Sequence, residues 1–307
     1  MSPADPGRAE WRKQPERGSQ ALLRVMTWLS LTLGRPVSRV ILFGISLYFL
    51  LFAPAARKAS RAYLQRVLGR PPRLAEVFRH LHCFATCIHD RVYLLNDHFD
   101  LFDIQVEGED IVKEVLAAGR GAFLMGAHLG SFEVVRALGR RQPDLKMAMA
   151  MYVENAHKIN AALAAINPAA MLEIIPLGQF DSMLRVQARM DEGVVLGMMG
   201  DRTLAQDPTQ PVPFLGQTAA FPVGPMRLAA ILKRPVLFIS GIYLGGNRYA
   251  IQFERLADFT GIERKERSAA VNEAVNAYAG CLERHCRTAP YNWSNFYDFW
   301  QPPAETS

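Results

Sequence analysis

The sequence predicts an α/β fold with a mixed, largely parallel central sheet flanked by helices, preceded by an N-terminal helical membrane-associated segment. Three observations carry that expectation. From about residue 104 onward, short apolar strand-like runs alternate with helical patterns. Residues 40–53 (VILFGISLYFLLFA) form an uncharged apolar run. Charge is also unevenly placed: residues 1–73 hold 13 Lys/Arg against 3 Asp/Glu, whereas the remainder holds 22 against 26. With 307 residues, half of them apolar and 21% charged, the chain has enough core for one large domain and too little charge for disorder. Four cysteines exclude a disulfide scaffold.

The amino-terminal segment comes first. Fourteen helical residues rise about 21 Å, short of the roughly 30 Å of bilayer hydrocarbon. Some forty residues precede the run, which argues against a secretory signal. Arg35 and Arg39 stand before it and Arg57, Lys58 and Arg61 after it, so neither flank reads as exported. The segment therefore reads as a helix lying in, or dipping into, the cytoplasmic face of the inner membrane, with residues 22–33 and Trp28 adding an interfacial contact. A buried core helix is the plainer alternative. Greasy residues separate the charges and no zinc-finger or RNA-binding signature is present, so nucleic acid is not an expected partner. The expected division is a basic membrane-associated segment over 1–73, an α/β domain over 74–300 with helix 74–97 packed on it, and a tail over 301–307.

Residues 74–97 carry Leu74, Val77, Phe78, Leu81, Phe84, Ile88, Val92 and Leu95 at helical spacing. His80, Cys83 and Cys87 share a neighbouring stripe, but their spacing fits no standard zinc pattern. They read as packed side chains, as do Cys281 and Cys286, and no metal is expected. Strands are then predicted over 103–107, 121–127, 145–152, 173–176, 193–199, 235–243 and 249–253. Helices are predicted over 110–118, 156–166, 180–192, 224–232 and 267–286.

Chemistry concentrates in GAFLMGAHLGSFEVVRALG, residues 121–139. An apolar strand runs to Ala127, His128 follows, Gly130 permits a turn and Ser131 occupies an N-cap position. Glu133 then falls in the first turn of a helix. Strand-end to helix-start junctions are where α/β proteins gather their sites. A carboxylate on one imidazole nitrogen fixes the tautomer, so that the other nitrogen can take a proton from a hydroxyl. Backbone N–H groups at the helix start offer an oxyanion site. The bland reading of Glu133 is a carboxylate favoured by the helix dipole. One histidine does not make a metalloprotease helix, and Gly130-Ser131-Phe132 is no GxSxG elbow. Asp201 and Arg202 end another apolar strand: Arg202 suits an anionic group and Asp201 suits holding its loop, with a simple ion pair as the alternative.

These residues resemble the lysophospholipid acyltransferase superfamily, in particular its lipid A biosynthesis branch. His128-Leu-Gly-Ser-Phe-Glu133 is similar to its H-x4-D/E signature. Gly200-Asp201-Arg202, Val212-Pro-Phe-Leu-Gly216, Phe221 through Ala229 and the Pro235-Val236 strand start follow in the family's order. The resemblance implies His128 as general base on an acceptor hydroxyl and Glu133 as its partner. It further implies substrate contacts from Gly130, Ser131, Asn155, Asp201 and Arg202. The donor is expected to be an acyl thioester on acyl carrier protein or acyl-CoA, the acceptor a lipid or lipid-linked sugar, with no cofactor. Arg136, Arg140 and Arg141 are candidates for docking an acidic carrier protein. Where the family offers an Arg before Asn-Pro, Met151 to Asn155 stands here, and the aromatic ending at 290–300 lacks the family's basic residues. The departures point away from a phosphorylated lipid A precursor and toward a side branch of the family that serves polyene-type or other specialised outer-membrane lipids. Competing readings are a non-catalytic lipid-binding protein of the same fold and a thioesterase using water.

Overall fold

The computed structural model describes residues 20–141, 145–170, 173–179, 181–203 and 207–300. The basic residues Arg8, Arg12, Lys13 and Arg17 and the 301–307 tail lie outside them. Helices α1 (Gln20–Phe52), α2 (Pro54–Leu68) and α3 (Leu74–Leu95) precede β1 (Asp103–Glu107), α4 (Glu109–Ala117), β2 (Ala122–Gly126) and α5 (Phe132–Arg140). Next come β3 (Met147–Tyr152), α6 (Val153–Ile166), β4 (Glu173–Leu177), α7 (Ser182–Asp191) and β5 (Val195–Met199). The chain ends with β6 (Thr209–Phe214), β7 (Gln217–Pro222), α8 (Gly224–Leu232), β8 (Pro235–Gly245), β9 (Arg248–Asp258) and α9 (Arg267–Thr288).

Seven strands form one sheet in the order β1-β9-β8-β2-β5-β3-β4. All neighbours are parallel except β8 and β9, which form an antiparallel hairpin. The expected mixed, mostly parallel sheet is therefore present. Strand β2 is buried along its whole length because helices cover both faces. Phe123, Met125 and Ala127 point into a core shared with α2, α8, α9 and the 293–299 segment. Ala122 and Leu124 point the other way, into a core with α4 and α5. This alternation places the residues after Gly126 at the carboxyl edge of the sheet, between the carboxyl ends of β5 and β8.

Helix α1 departs from expectation in length. The apolar run continues back through a kink at Gly34, whose φ of 76° and ψ of 163° suit only glycine, with Pro36 just beyond. Among the described residues it is one helix long and apolar enough to cross a membrane. Arg35 and Arg39 divide the run in sequence, but neither side chain is surrendered to the helix exterior. Arg35 makes a two-pronged 2.8 Å pair with buried Asp90 of α3, and both arginines reach the Gly246 carbonyl at the β8–β9 turn. The amphipathicity of the second half is inverted. Ser38, Leu42, Ser46 and Leu50 pack inward, while Val40 (74% exposed), Ile41, Leu47, Tyr48, Leu51 and Phe52 face out. Small polar residues toward the protein and large apolar ones outward are what a lipid environment, not water, favours.

Two elements were not foreseen. Helix α2 begins with Pro54 at its first turn, a favourable start hidden in the sequence by its basic composition. The β6–β7 hairpin carries Pro211 and Pro213, which weaken a strand signal. Its two-residue loop, Leu215 and Gly216, has positive φ at both positions, the geometry that suits a right-twisted hairpin.

Candidate active site

His128 follows β2 and Asp201 follows β5, its parallel neighbour, so both arrive at the same sheet edge. The Nδ1 of His128 lies 2.8 Å from Oδ1 of Asp201. The other oxygen, Oδ2, accepts the His128 backbone N–H at 2.9 Å and the Trp293 indole N–H at 3.0 Å. A carboxylate with three N–H donors is ionised and can only accept from Nδ1, so the imidazole proton resides on Nδ1 and Nε2 carries the lone pair. Among the described residues Nε2 makes no hydrogen bond, and a third (33%) of the His128 side chain stays exposed while Asp201 is buried.

Electrostatics keep this pair ready. Burial and the nearby Arg202 guanidinium lower the His128 pKa, against the opposing pull of Asp201, so the imidazole stays neutral below its ordinary range. Burial pushes Asp201 upward, but His128, Arg202 and the backbone N–H together outweigh it and hold the acid well below the usual carboxylate range. Arg202 sits against Tyr297, with its Nη2 3.3 Å from the Ser294 carbonyl.

A family model described as Bacterial lipid A biosynthesis acyltransferase matches residues 8–301. The chain belongs to that family. It is therefore an acyltransferase of lipid biosynthesis, working with an acyl donor and a lipid acceptor, and its apolar α1 suits membrane anchoring. No curated protein matches the chain.

In this acyltransferase the carboxylate on Nδ1 belongs to Asp201 and not to Glu133. Glu133 turns away in the first turn of α5. Its Oε2 accepts from Arg136 at 3.2 Å, and its Oε1 faces Arg91 of α3 at 3.5 Å. Glu133 and Arg136 are both buried, so this cluster ties α5 to α3 beneath the loop that carries His128. Arg136 is consequently not a surface docking residue. Arg140 and Arg141 are both exposed beside Phe99, Arg140 being also engaged by Asp97 and the Leu94 carbonyl.

Gly130 and Ser131 shape the site rather than line it. The N–H of Gly130 donates to the Asn292 carbonyl and that of Ser131 to the Gly241 carbonyl. Gly130 has a φ of 68°, and a Cβ there would lie 2.0 Å from the Gly241 oxygen; a Cβ on Gly241 would meet the Ser131 oxygen at 2.3 Å. The two backbones interlock because neither residue has a side chain. Ser131 holds the N-cap position of α5 without a side-chain capping bond. Asn155 lies in α6, and its side chain is outside the described residues.

The carboxyl-terminal segment supplies what sequence reasoning missed. Besides the Trp293 bond to Asp201, Ser294 N–H donates to the His128 carbonyl at 2.7 Å, and Leu129 pairs with Trp293 in an isolated bridge. The Asn292 side chain accepts from Tyr243 N–H and donates to the Tyr243 carbonyl on β8. The aromatic run at 290–300 was the available signal, but its contact with residues 128–130 spans more than 160 positions and leaves no local pattern. The His80, Cys83 and Cys87 stripe is buried within α3. Among the described residues, Glu254, Cys281 and His285 are the one group whose metal-capable atoms converge, within 4.8 Å of one another. Arg284 already occupies Glu254 and lies 3.3 Å from the Cys281 sulfur, so a cation there would face a guanidinium.

Proposed function

We propose that this family member moves a fatty acyl group from an acyl thioester to a hydroxyl of a lipid or glycolipid, with His128 as general base and Asp201 as its partner. The observation that carries the reading is the 2.8 Å His128–Asp201 contact, which leaves Nε2 unbonded at a partly open sheet edge. Nε2 accepts the proton of the acceptor hydroxyl as its oxygen attacks the thioester carbonyl. The resulting imidazolium is stabilised by Asp201. The tetrahedral oxyanion collapses by breaking the C–S bond, and the departing thiolate takes the proton back from Nε2. The ester and the free thiol carrier are the products. Positive charge from Arg202 favours the oxyanion.

Acyl carrier protein is the proposed donor carrier, with acyl-CoA as the alternative, and the cytoplasmic face of the inner membrane is the proposed location. The β8 carboxyl end links the site to α1. Gly241 holds the His128 loop, and a few residues further the turn at Gly246 is gripped by Arg35 and Arg39 of α1. The proposed base therefore stands on the side of the sheet that α1 fastens to, where a lipid acceptor arrives. Glu133 is proposed as a support for the loop, acting through Arg136 and Arg91.

The test is acyl transfer by purified protein in vesicles, with acyl carrier protein thioester and glycolipid acceptors, read by mass spectrometry. An acceptor heavier by one acyl group, lost in His128→Ala, is expected. Release of free fatty acid at the same rate with and without acceptor would instead establish a thioesterase, and His128→Ala with full activity would refute the base.

A further inference from the structure

Asp201 is held from behind by a chain of groups that starts at α2 and α3. His80 of α3 is wholly buried, with Nε2 2.8 Å from the Trp293 carbonyl and Nδ1 2.8 Å from the Ser60 hydroxyl of α2. A carbonyl only accepts, so Nε2 carries the proton and Nδ1 accepts from Ser60. The Trp293 side chain then donates its indole N–H to Asp201 Oδ2 at 3.0 Å. Its ring is fully buried among Tyr63, Phe214 and Phe299, at centroid distances of 5.1, 5.4 and 5.0 Å. Ring packing limits the indole plane, and the His80 bond fixes the backbone from which it projects.

We infer that Trp293 is a positioning residue for the His128–Asp201 pair and that His80, backed by Ser60, acts on catalysis through Trp293. The inference rests on the proposed base reading. Without the indole N–H, Oδ2 keeps only the His128 backbone donor, and the carboxylate is held from the His128 side alone. The carboxylate also becomes more basic, which strengthens its hold on the imidazolium. His128 faces Arg202 besides Asp201, and Asp201 is further surrounded by Tyr278, Tyr297 and Cys286. Those three are neutral at working pH because burial raises each of them, so the indole is the removable donor.

The experiment measures kcat, KM and the pH dependence of kcat/KM for the vesicle-bound, full-length enzyme. The variants are Trp293→Phe, His80→Leu, His80→Gln, the Trp293→Phe/His80→Leu double and Asp201→Asn. Trp293→Phe is expected to lower kcat roughly ten- to hundred-fold, the usual effect of losing one hydrogen bond to a charged group, with KM little changed. The acid limb of its profile is expected at higher pH, because the freed carboxylate favours the imidazolium. His80→Leu should move both readouts the same way by a smaller factor, and His80→Gln, which can still donate to the Trp293 carbonyl, should restore them. In the double variant, His80→Leu should add nothing to Trp293→Phe. If Trp293→Phe does not fold, benzothienylalanine at 293 removes the N–H and keeps the bicyclic ring. An unmoved acid limb, or a full-sized His80→Leu effect within the double variant, overturns the inference. Should those results accompany an inactive Asp201→Asn, only the positioning chain falls; a fully active Asp201→Asn removes the base reading beneath it.

Discussion

Two buried carboxylates flank the His128 loop, and their surroundings assign them different work. Glu133 is five residues from His128 in sequence, yet it faces Arg136 and Arg91 and joins two helices. Asp201 is 73 residues away and touches the imidazole directly, because parallel strands β2 and β5 end side by side. One acid is matched by guanidinium groups, the other by an imidazole, an indole and a backbone amide. The difference teaches that proximity along the chain does not identify the carboxylate that meets an imidazole; strand adjacency does.

The comparison can be broken most severely at its shared centre. On the proposed base role, His128→Ala should cut acyl transfer by about a hundred- to ten-thousand-fold, the usual worth of a general base. The fold should survive at a lower unfolding midpoint, since buried Asp201 loses the imidazole bond but keeps the residue 128 backbone N–H and the Trp293 indole.

Glu133→Gln should strike stability instead. It removes the negative charge that faces both the buried Arg136 and Arg91, and neutralising one side of a buried ion pair destabilises the fold. Chemical denaturation would show this as a lower midpoint, with turnover per folded molecule falling by less than about ten-fold. A Glu133→Gln protein of unchanged stability would contradict the structural role.

Acid sharpens the contrast further. His80 is buried, and burial lowers its pKa to about 4 despite its bond to the Trp293 carbonyl. A histidine with a depressed folded pKa stabilises the fold above its unfolded pKa of about 6.5, and that stabilisation is lost as pH falls toward 4. The loss from His80 alone is about 3 kcal/mol across that window. His128 shifts in the same direction, so the acid limb of kcat/KM should lie on the acid side of an ordinary histidine's. An acid limb centred above 6.5 would argue against the described electrostatics.

The smallest effect on chemistry is expected at α1. Val40→Asp with Leu51→Asp should move protein from the membrane to the soluble fraction, since each exposed apolar side chain contributes about 1.5–3 kcal/mol when withdrawn from water. Turnover on detergent-dispersed substrate should change little.

Much of the fold was legible in the sequence because strand and helix periods are local. Strand 103–107 and helix 224–232 fall where the alternation of apolar residues put them. The β6–β7 hairpin was obscured by its prolines, and α1 by arginines whose inward turn only the fold reveals. For the site, His128 and the Asp201-Arg202 pair were legible as strand-end residues. That Asp201 meets Nδ1, that Glu133 meets arginines, and that Trp293 closes the arrangement depend on strand order and on a carboxyl-terminal segment folding back. None of these leaves a periodic trace.

The most direct measurement is the ratio of kcat/KM for Asp201→Asn to that for Glu133→Gln, each corrected for the folded fraction. Asn at 201 presents an amide where the imidazole needs an acceptor, so its loss should exceed that of Glu133→Gln by at least about a hundred-fold. Equal losses, or a larger one at Glu133, would contradict the account.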